Sequence, residues 1–397
     1  MNLTHWIPLL ALAAWLPASA RAAETAVPFR NLAFDAAVQA ATAEGKLVFI
    51  DFYTTWCEPC KRLDATTWSD PAVAKLLGEK TVPLKLDAEK EIDLAKRYKI
   101  EAYPTLLLLK PDGTEVDRLV GFREAPKFIE EFNAALAGKN TLVRAKEAVA
   151  AAGGGDSVPS QDAVKARYNL GQTLAQSGDA EAALKEYLWC YDVGMLQVPG
   201  YSGVRGSYLV RDIAQLGRSH PPALAALRER RDQAEAHMMA DTKDRTAAMD
   251  FASLNDALNE NQRTLAMFDK LPPTDPRRAG LLLRVYDMLI EAKRYDDAAQ
   301  ARPFARMTSD FDRNVQYLAT VASQPNSEPI KAAHTRYIVS TTTKNIEVLA
   351  GAGDLAHARE LLDKLLAFDA SDATKTLLQT QLTRAGHPEL LVPPAAK

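Results

Sequence analysis

Leu47-Val48-Phe49-Ile50-Asp51-Phe52-Tyr53-Thr54-Thr55-Trp56-Cys57-Glu58-Pro59-Cys60-Lys61 is the stretch that decides how the rest of the chain is read. From Leu47 to Tyr53 the residues are apolar, β-branched or aromatic, which predicts a buried strand with one acid inside it. Thr54-Thr55-Trp56 reads as a short turn. Cys-Glu-Pro-Cys then opens a helix, with Pro59 in the first turn, where a missing N–H is harmless. A helix N-terminus offers free N–H groups and a positive dipole end that stabilise a thiolate on Cys57. Cys60 sits one turn in, placed to close a disulfide. Strand, turn, CxxC and helix together form the layout a dithiol redox site needs.

Working outward, Asn31 to Glu44 carries apolar residues at helical spacing and leads through Gly45-Lys46 into the strand. Cys60 to about Thr67 continues the helix after the CxxC. Ser69-Asp70-Pro71 is a helix-start signal, followed by a short helix over Ala72 to Leu77. Val82 to Asp87 reads as a strand and Ile92 to Tyr98 as a helix. Tyr103-Pro104-Thr105 precedes an apolar strand, Leu106 to Leu109. Pro111-Asp112-Gly113 is a turn, Glu115 to Val120 the return strand, and Ala125 to Leu136 a closing helix. The order is βαβ followed by ββα, an α/β unit.

On these residues the stretch 29–140 resembles the thioredoxin-fold family. The matching features are Trp56-Cys57-Glu58-Pro59-Cys60-Lys61, Asp51 six residues before the first cysteine, Lys85 on the neighbouring strand, and Tyr103-Pro104-Thr105. Thr67-Trp68-Ser69-Asp70-Pro71-Ala72-Val73 and Val120-Gly121-Phe122 are similar to the C-terminal thioredoxin-like domain of the thiol:disulfide interchange reductases. Lys85-Leu86-Asp87-Ala88 and Tyr-Pro-Thr resemble protein disulfide isomerase. The resemblance implies a cis peptide at Pro104, packed against the disulfide, with the Tyr103 backbone left to pair with an extended substrate.

The chain has 397 residues, enough for two or three domains. Its 48 basic and 51 acidic residues nearly balance, so nothing in the charge points to nucleic acid or an anionic membrane surface. Ile7 to Leu16 is a short apolar run followed by Pro17-Ala18-Ser19-Ala20-Arg21-Ala22, with small-x-small cleavage sites after Ala20 or Ala22. Residues 1–22 therefore read as a signal peptide, although its start carries no Lys or Arg, and the expected compartment is the periplasm. Residues 26–140 form the thioredoxin-like domain and 141–160 a linker, from the Ala-rich run after Leu142 and Gly153-Gly154-Gly155. Residues 161–385 read as an all-α, tetratricopeptide-like helical repeat, with its best instance at Tyr168-Asn169-Leu170-Gly171, Gly178-Asp179, Ala182-Ala183, Tyr187 and Cys190. Weaker echoes start at Asn259, Arg294 and Gly351. Residues 386–397 read as a disordered tail.

The expected catalytic set is Cys57, Cys60, Asp51, Lys85 and Pro104, with Trp56, Glu58, Pro59 and Tyr103 meeting the substrate. Cys57 is the nucleophile and Cys60 the resolving thiol, which must lose its proton before it attacks a mixed disulfide. Asp51, an acid in an otherwise apolar strand, is the acceptor, tuned by Lys85. Trp56 shields the disulfide, and Trp68 is a core residue. A zinc site would need two ligands beyond this pair. The third cysteine, Cys190, reads as an inert core thiol, and the six histidines are scattered, so no metal or other cofactor beyond the dithiol is expected.

Glu58 places a carboxylate between the cysteines, which disfavours the Cys57 thiolate and pushes the couple toward reducing potentials, with Lys61 and Arg62 opposing in part. The expected function is an exported thiol-disulfide reductase acting on protein thiols and disulfides, with a client or partner on the helical repeats and, by resemblance, a membrane electron donor. An interaction scaffold with a seldom-used dithiol, or a disulfide isomerase, is the alternative. The segment Gly200 to Tyr208 reads as an inter-helix loop rather than the wall of a peptide groove.

Overall fold

The structure, a computed structural model, describes residues 26–153, 158–322 and 328–391. The expected signal peptide lies outside the described residues. Two compact units divide at Gly153/Gly154.

In the first unit the elements run α1 (Phe34–Glu44), β1 (Leu47–Tyr53), α2 (Glu58–Ala65), α3 (Pro71–Lys80), β2 (Thr81–Asp87), α4 (Ile92–Arg97), β3 (Thr105–Leu109), β4 (Glu115–Val120), α5 (Ala125–Leu136) and α6 (Thr141–Ala151). The sheet order is β2-β1-β3-β4, with β1 parallel to β2 and antiparallel to β3. The apolar β1 takes the centre, where both of its faces are covered. Side chains alternate across a strand, so Val48, Ile50 and Phe52 enter one core with Ala37 and Ala41 of α1. Phe49 enters the other with Leu63 of α2, Trp68, and Phe128 and Phe132 of α5. Asp51 has the parity of Phe49, and so belongs to the face that α2 covers.

Local chemistry sets the element ends. Asp70 caps α3 by accepting from the backbone N–H groups of Ala72 and Val73, as its Asp-Pro start signal requires. In the β3–β4 turn Asp112 accepts from the Thr114 N–H, and Gly113 takes φ 83°, a conformation open to glycine.

Three boundary expectations change. The expected linker 141–160 is helical over Thr141–Ala151, because Asp117, buried on β4, accepts from the Thr141 N–H at 2.8 Å and meets Arg144 at 3.4 Å. A buried carboxylate must be paired, and these partners tie α6 to the first unit. The expected loop Gly200–Tyr208 is helical from Ser202 on: Ser202–Val204, a π-helical turn at Arg205–Leu209 and Val210–Leu216 follow one another without a break. The buried Arg205 guanidinium holds this turn by donating to Asp250 and to the Tyr191 carbonyl. The expected tail is ordered over Pro388–Leu391, where Leu390 and Leu391 pack on the helical core and the Leu390 carbonyl accepts from Arg359; residues 392–397 lie outside the described residues.

The second unit is helical. In α7 (Gln161–Ser177) and α8 (Ala180–Trp189) the chain doubles back at Gly178, φ 88°, with Asp179 capping the second helix. Gly171 is required here, since a Cβ at that position would stand 2.8 Å from the Tyr187 ring. Cys190 is fully buried just after α8, and burial pushes its thiol up to about 12, which fits an inert core position. Further on, one continuous core runs from Ala234 to Leu382. Gly351 faces the Tyr295 ring so closely that no Cβ fits, and the Tyr295 hydroxyl is held by the buried Glu347, itself paired with Arg384. Gly351→Ala is therefore expected to destabilise the helical unit by about 1–3 kcal/mol, lowering its thermal midpoint by several degrees. The Cys57–Cys60 chemistry should be unchanged. A melt identical to that of the parent chain would contradict the packing.

Candidate active site

Cys57 is the N-cap of α2 and Cys60 lies in its first turn. Their sulfurs form a disulfide, and the Cys60 N–H donates to Cys57 Sγ at 3.1 Å. That N–H is one of the free donors at the start of α2, so the helix terminus is aimed at the sulfur that must carry negative charge. Both residues are buried, Cys57 at 3% exposure, while Glu58, Pro59 and Trp56 between and before them stand open, Trp56 at 63%.

Trp56 stands against Glu89 and Tyr103. Its indole N–H donates to Glu89 at 2.9 Å and its ring meets Tyr103 edge-on at 5.8 Å. Tyr103 leads into a cis peptide at Pro104. The Pro104 carbonyl accepts from the Gly121 N–H at 2.8 Å, and the Thr105 hydroxyl donates to the Ala102 carbonyl at 2.7 Å, which ties this loop to the end of β4 and to itself. Glu58 pairs with Lys61 at 3.3 Å, and Arg62 lies over the Phe122 ring and 3.7 Å from Glu124. These exposed pairs are weak. Lys61 nevertheless offsets part of the Glu58 charge where it stands nearest the cysteines.

On the sheet face that α2 covers, the parallel register sets Asp51 beside Lys85. Asp51 is fully buried, and one carboxylate oxygen, Oδ2, accepts from the Trp68 indole N–H at 2.9 Å and lies 3.8 Å from Lys85 Nζ. The other, Oδ1, is buried and accepts from no described group. Lys85 bonds first to Asp64, on the turn of α2 that follows Cys60. Burial is the largest influence on Asp51 and raises its carboxyl from 3.8 to about 6, over the lowering pull of Lys85 and of the Trp68 N–H. Asp64 adds an upward push by its own negative charge. A carboxyl near neutrality with one oxygen uncommitted can take up a proton and return it in the physiological range.

The structure thus joins Cys57 to Cys60 at the start of α2, sets Asp51 beside Lys85 on adjacent strands with Lys85 bonded to Asp64 of α2, makes the Tyr103–Pro104 peptide cis, and leaves Trp56, Glu58 and Pro59 exposed. Two participants escape a plain reading of the sequence. Trp68 is in the core, but its indole also holds Asp51; the signal was that a buried indole N–H needs an acceptor. Asp64 lies four residues after Cys60, on the same helix face, and no short-range signal ties it to Asp51 and Lys85. Among the described residues no cluster of His, Cys, Asp and Glu could hold a metal.

Residues 34–136 match the thioredoxin-like domain family. Thioredoxin of Echinococcus granulosus is 40% identical over 89 residues, 22% of this chain and 78% of that protein. The chain belongs to the thioredoxin-like family. Thioredoxin-1 of Drosophila melanogaster is 41% identical over 68 residues, and there the match covers 17% of this chain and 61% of the relative. The thiol:disulfide interchange protein DsbD of Salmonella typhi is 36% identical over 94 residues, 22% of this chain and 16% of that much longer protein. The thioredoxin-like domain with its Cys57–Cys60 pair places the chain among thiol-disulfide oxidoreductases.

Proposed function

We propose that the protein is an exported reductase of protein disulfides. The reduced Cys57 thiolate attacks one sulfur of a substrate disulfide; one substrate thiolate leaves and a mixed disulfide forms. Cys60 then gives its proton to Asp51 and attacks Cys57 Sγ. The second substrate thiol is released, the Cys57–Cys60 disulfide closes, and two electrons have passed to the substrate. Lys85, held by Asp64, and Trp68 keep the Asp51 carboxyl in place, and burial raises it to about 6. Trp56, Glu58, Pro59 and the Tyr103-Pro104 loop form the rim along which an extended client segment lies. The observation that carries this reading is the buried Asp51, with a carboxyl at about 6 and a free oxygen, under the CxxC helix.

Export to the periplasm rests on the apolar run Ile7–Leu16 and the small residues after it. In an oxidising compartment such a reductant must be recharged, which calls for a membrane electron donor. The helical unit, read as a degenerate repeat array, recruits the client or partner.

Equilibration of the mature protein against a dithiol buffer tests the direction of transfer. A potential of about −250 mV or lower is expected, toward thioredoxin at about −270 mV. A value at the isomerase end, about −180 mV or above, would reverse the assignment and show that Lys61 cancels the influence of Glu58.

A further inference from the structure

A cleft of about 460 Å³ opens in the helical unit beside the helix Val210–Leu216, against the start of the helix Pro221–Ala240 and the end of the helix Arg245–Ala257. Four arginines line it, Arg211, Arg218, Arg228 and Arg284, against one acid, Asp256. Such a concentration is not inherited from composition, since the chain as a whole carries a net charge of −3. Part of the charge is internally committed. Asp256 pairs with Arg284 at 2.9 Å, and Arg228 reaches Glu260 at 3.6 Å. Arg284 also donates to the Gly206 carbonyl, while its buried Nε donates to no described group. Arg211 and Arg218 differ: both are exposed and pair with no carboxylate among the described residues, and Arg211 lies only 5.9 Å from the Tyr208 ring. Asp212, the acid beside Arg211 in sequence, is already taken by the Tyr168 hydroxyl and by Gln172.

We propose that this cleft binds an acidic peptide segment of a partner protein, with carboxylates received by Arg211 and Arg218. The number of cations and the volume argue for a peptide over a single ion. Arg211 lies on the helix Val210–Leu216 and Arg218 in the turn two residues past its end, and both line the same cleft. Acidic side chains two residues apart on an extended strand point to the same face about 7 Å apart, within the reach of two flexible arginine side chains. The volume falls within the range of about 300–1,000 Å³ typical of ligand sites, and two charge-assisted guanidinium–carboxylate contacts supply orientation as well as affinity. The inference rests on, and sharpens, the recruiting role proposed for the helical unit.

Fluorescence anisotropy of the full chain with a short labelled peptide carrying glutamates two residues apart tests it, beside the glutamine version of the same peptide and inorganic phosphate. The glutamate peptide should bind, weaken with added salt, and lose about tenfold or more in affinity in the Arg211→Gln/Arg218→Gln double variant. Equal binding of the glutamine peptide, undiminished binding to the double variant, or phosphate binding as tightly as the peptide would overturn the proposal. Both arginines are exposed, and the single variant Arg218→Glu provides a second reading of the same site. Turnover of a small aromatic disulfide is followed in parallel. Peptide binding with an inert dithiol would support the cleft while striking the reductase reading, and turnover without peptide binding would do the reverse.

Discussion

Cys57→Ser brings the reduction of protein disulfides down to the uncatalysed background, whereas Cys60→Ser leaves the first attack intact and halts the reaction at the mixed disulfide. The two cysteines differ in their surroundings, and that difference is the reason. Cys57 is the helix N-cap and its sulfur already accepts the Cys60 N–H, so negative charge developing there meets a donor and the positive end of α2. Cys60 lies on α2, which covers the sheet face that carries Asp51 and whose Asp64 shares Lys85 with it, and Asp51 is the base proposed for it. The measurement is non-reducing electrophoresis of each variant with client proteins, together with turnover of a model protein disulfide. Covalent adducts should accumulate with Cys60→Ser and be absent with Cys57→Ser. Adducts in the reverse pattern would exchange the two roles. Retention of cellular function by Cys57→Ser would instead favour a scaffold whose dithiol is idle.

Asp51→Asn is expected to stabilise the oxidised protein at alkaline pH while slowing its chemistry. In the folded chain the Asp51 carboxyl holds its proton up to about 6, against 3.8 for an ordinary aspartate. Below about 3.8 both folded and unfolded states carry the proton, and the group leaves stability independent of pH. Between that value and about 6 the unfolded chain ionises while the folded one does not, so stability falls as pH rises; above about 6 the loss is complete. A rise of this size corresponds to up to about 3 kcal/mol. Asparagine removes the charge, keeps an oxygen for the Trp68 N–H, and leaves Lys85 with Asp64. The thermal midpoint should therefore rise by several degrees at pH 8 and stay unchanged at pH 4 or below. Loss of a positioned base should slow resolution of the mixed disulfide by about a hundredfold, and the inflection near pH 6 in the rate profile should vanish. A variant with parental stability at pH 8 would show that Asp51 is a satisfied carboxylate.

Much of the first unit was legible because its signals are local. The apolar run Leu47–Tyr53, the Asp-Pro start of α3, the Pro-Asp-Gly turn and the Cys-Glu-Pro-Cys helix start each depend on a few neighbouring residues, and the observed elements follow them closely. Ends set by distant partners were not legible. Nothing within 141–151 says that Asp117, on β4, needs the Thr141 N–H and Arg144. Nothing between Gly200 and Tyr208 says that Arg205 will be buried against Asp250 and continue a helix through two glycines.

The same division runs through the site. Sequence alone determined the two cysteines, their order on a helix N-terminus, and an acid buried on the central strand, because spacing and periodicity suffice for these. Only the tertiary structure decided the state of that acid. Packing closes water off from Asp51, hands Lys85 to Asp64 before Asp51, brings the Trp68 indole onto one oxygen and leaves the other without a partner among the described residues. Desolvation and the sharing of one cation between two carboxylates depend on groups far apart in the chain meeting within a few ångströms, and no short-range pattern encodes them.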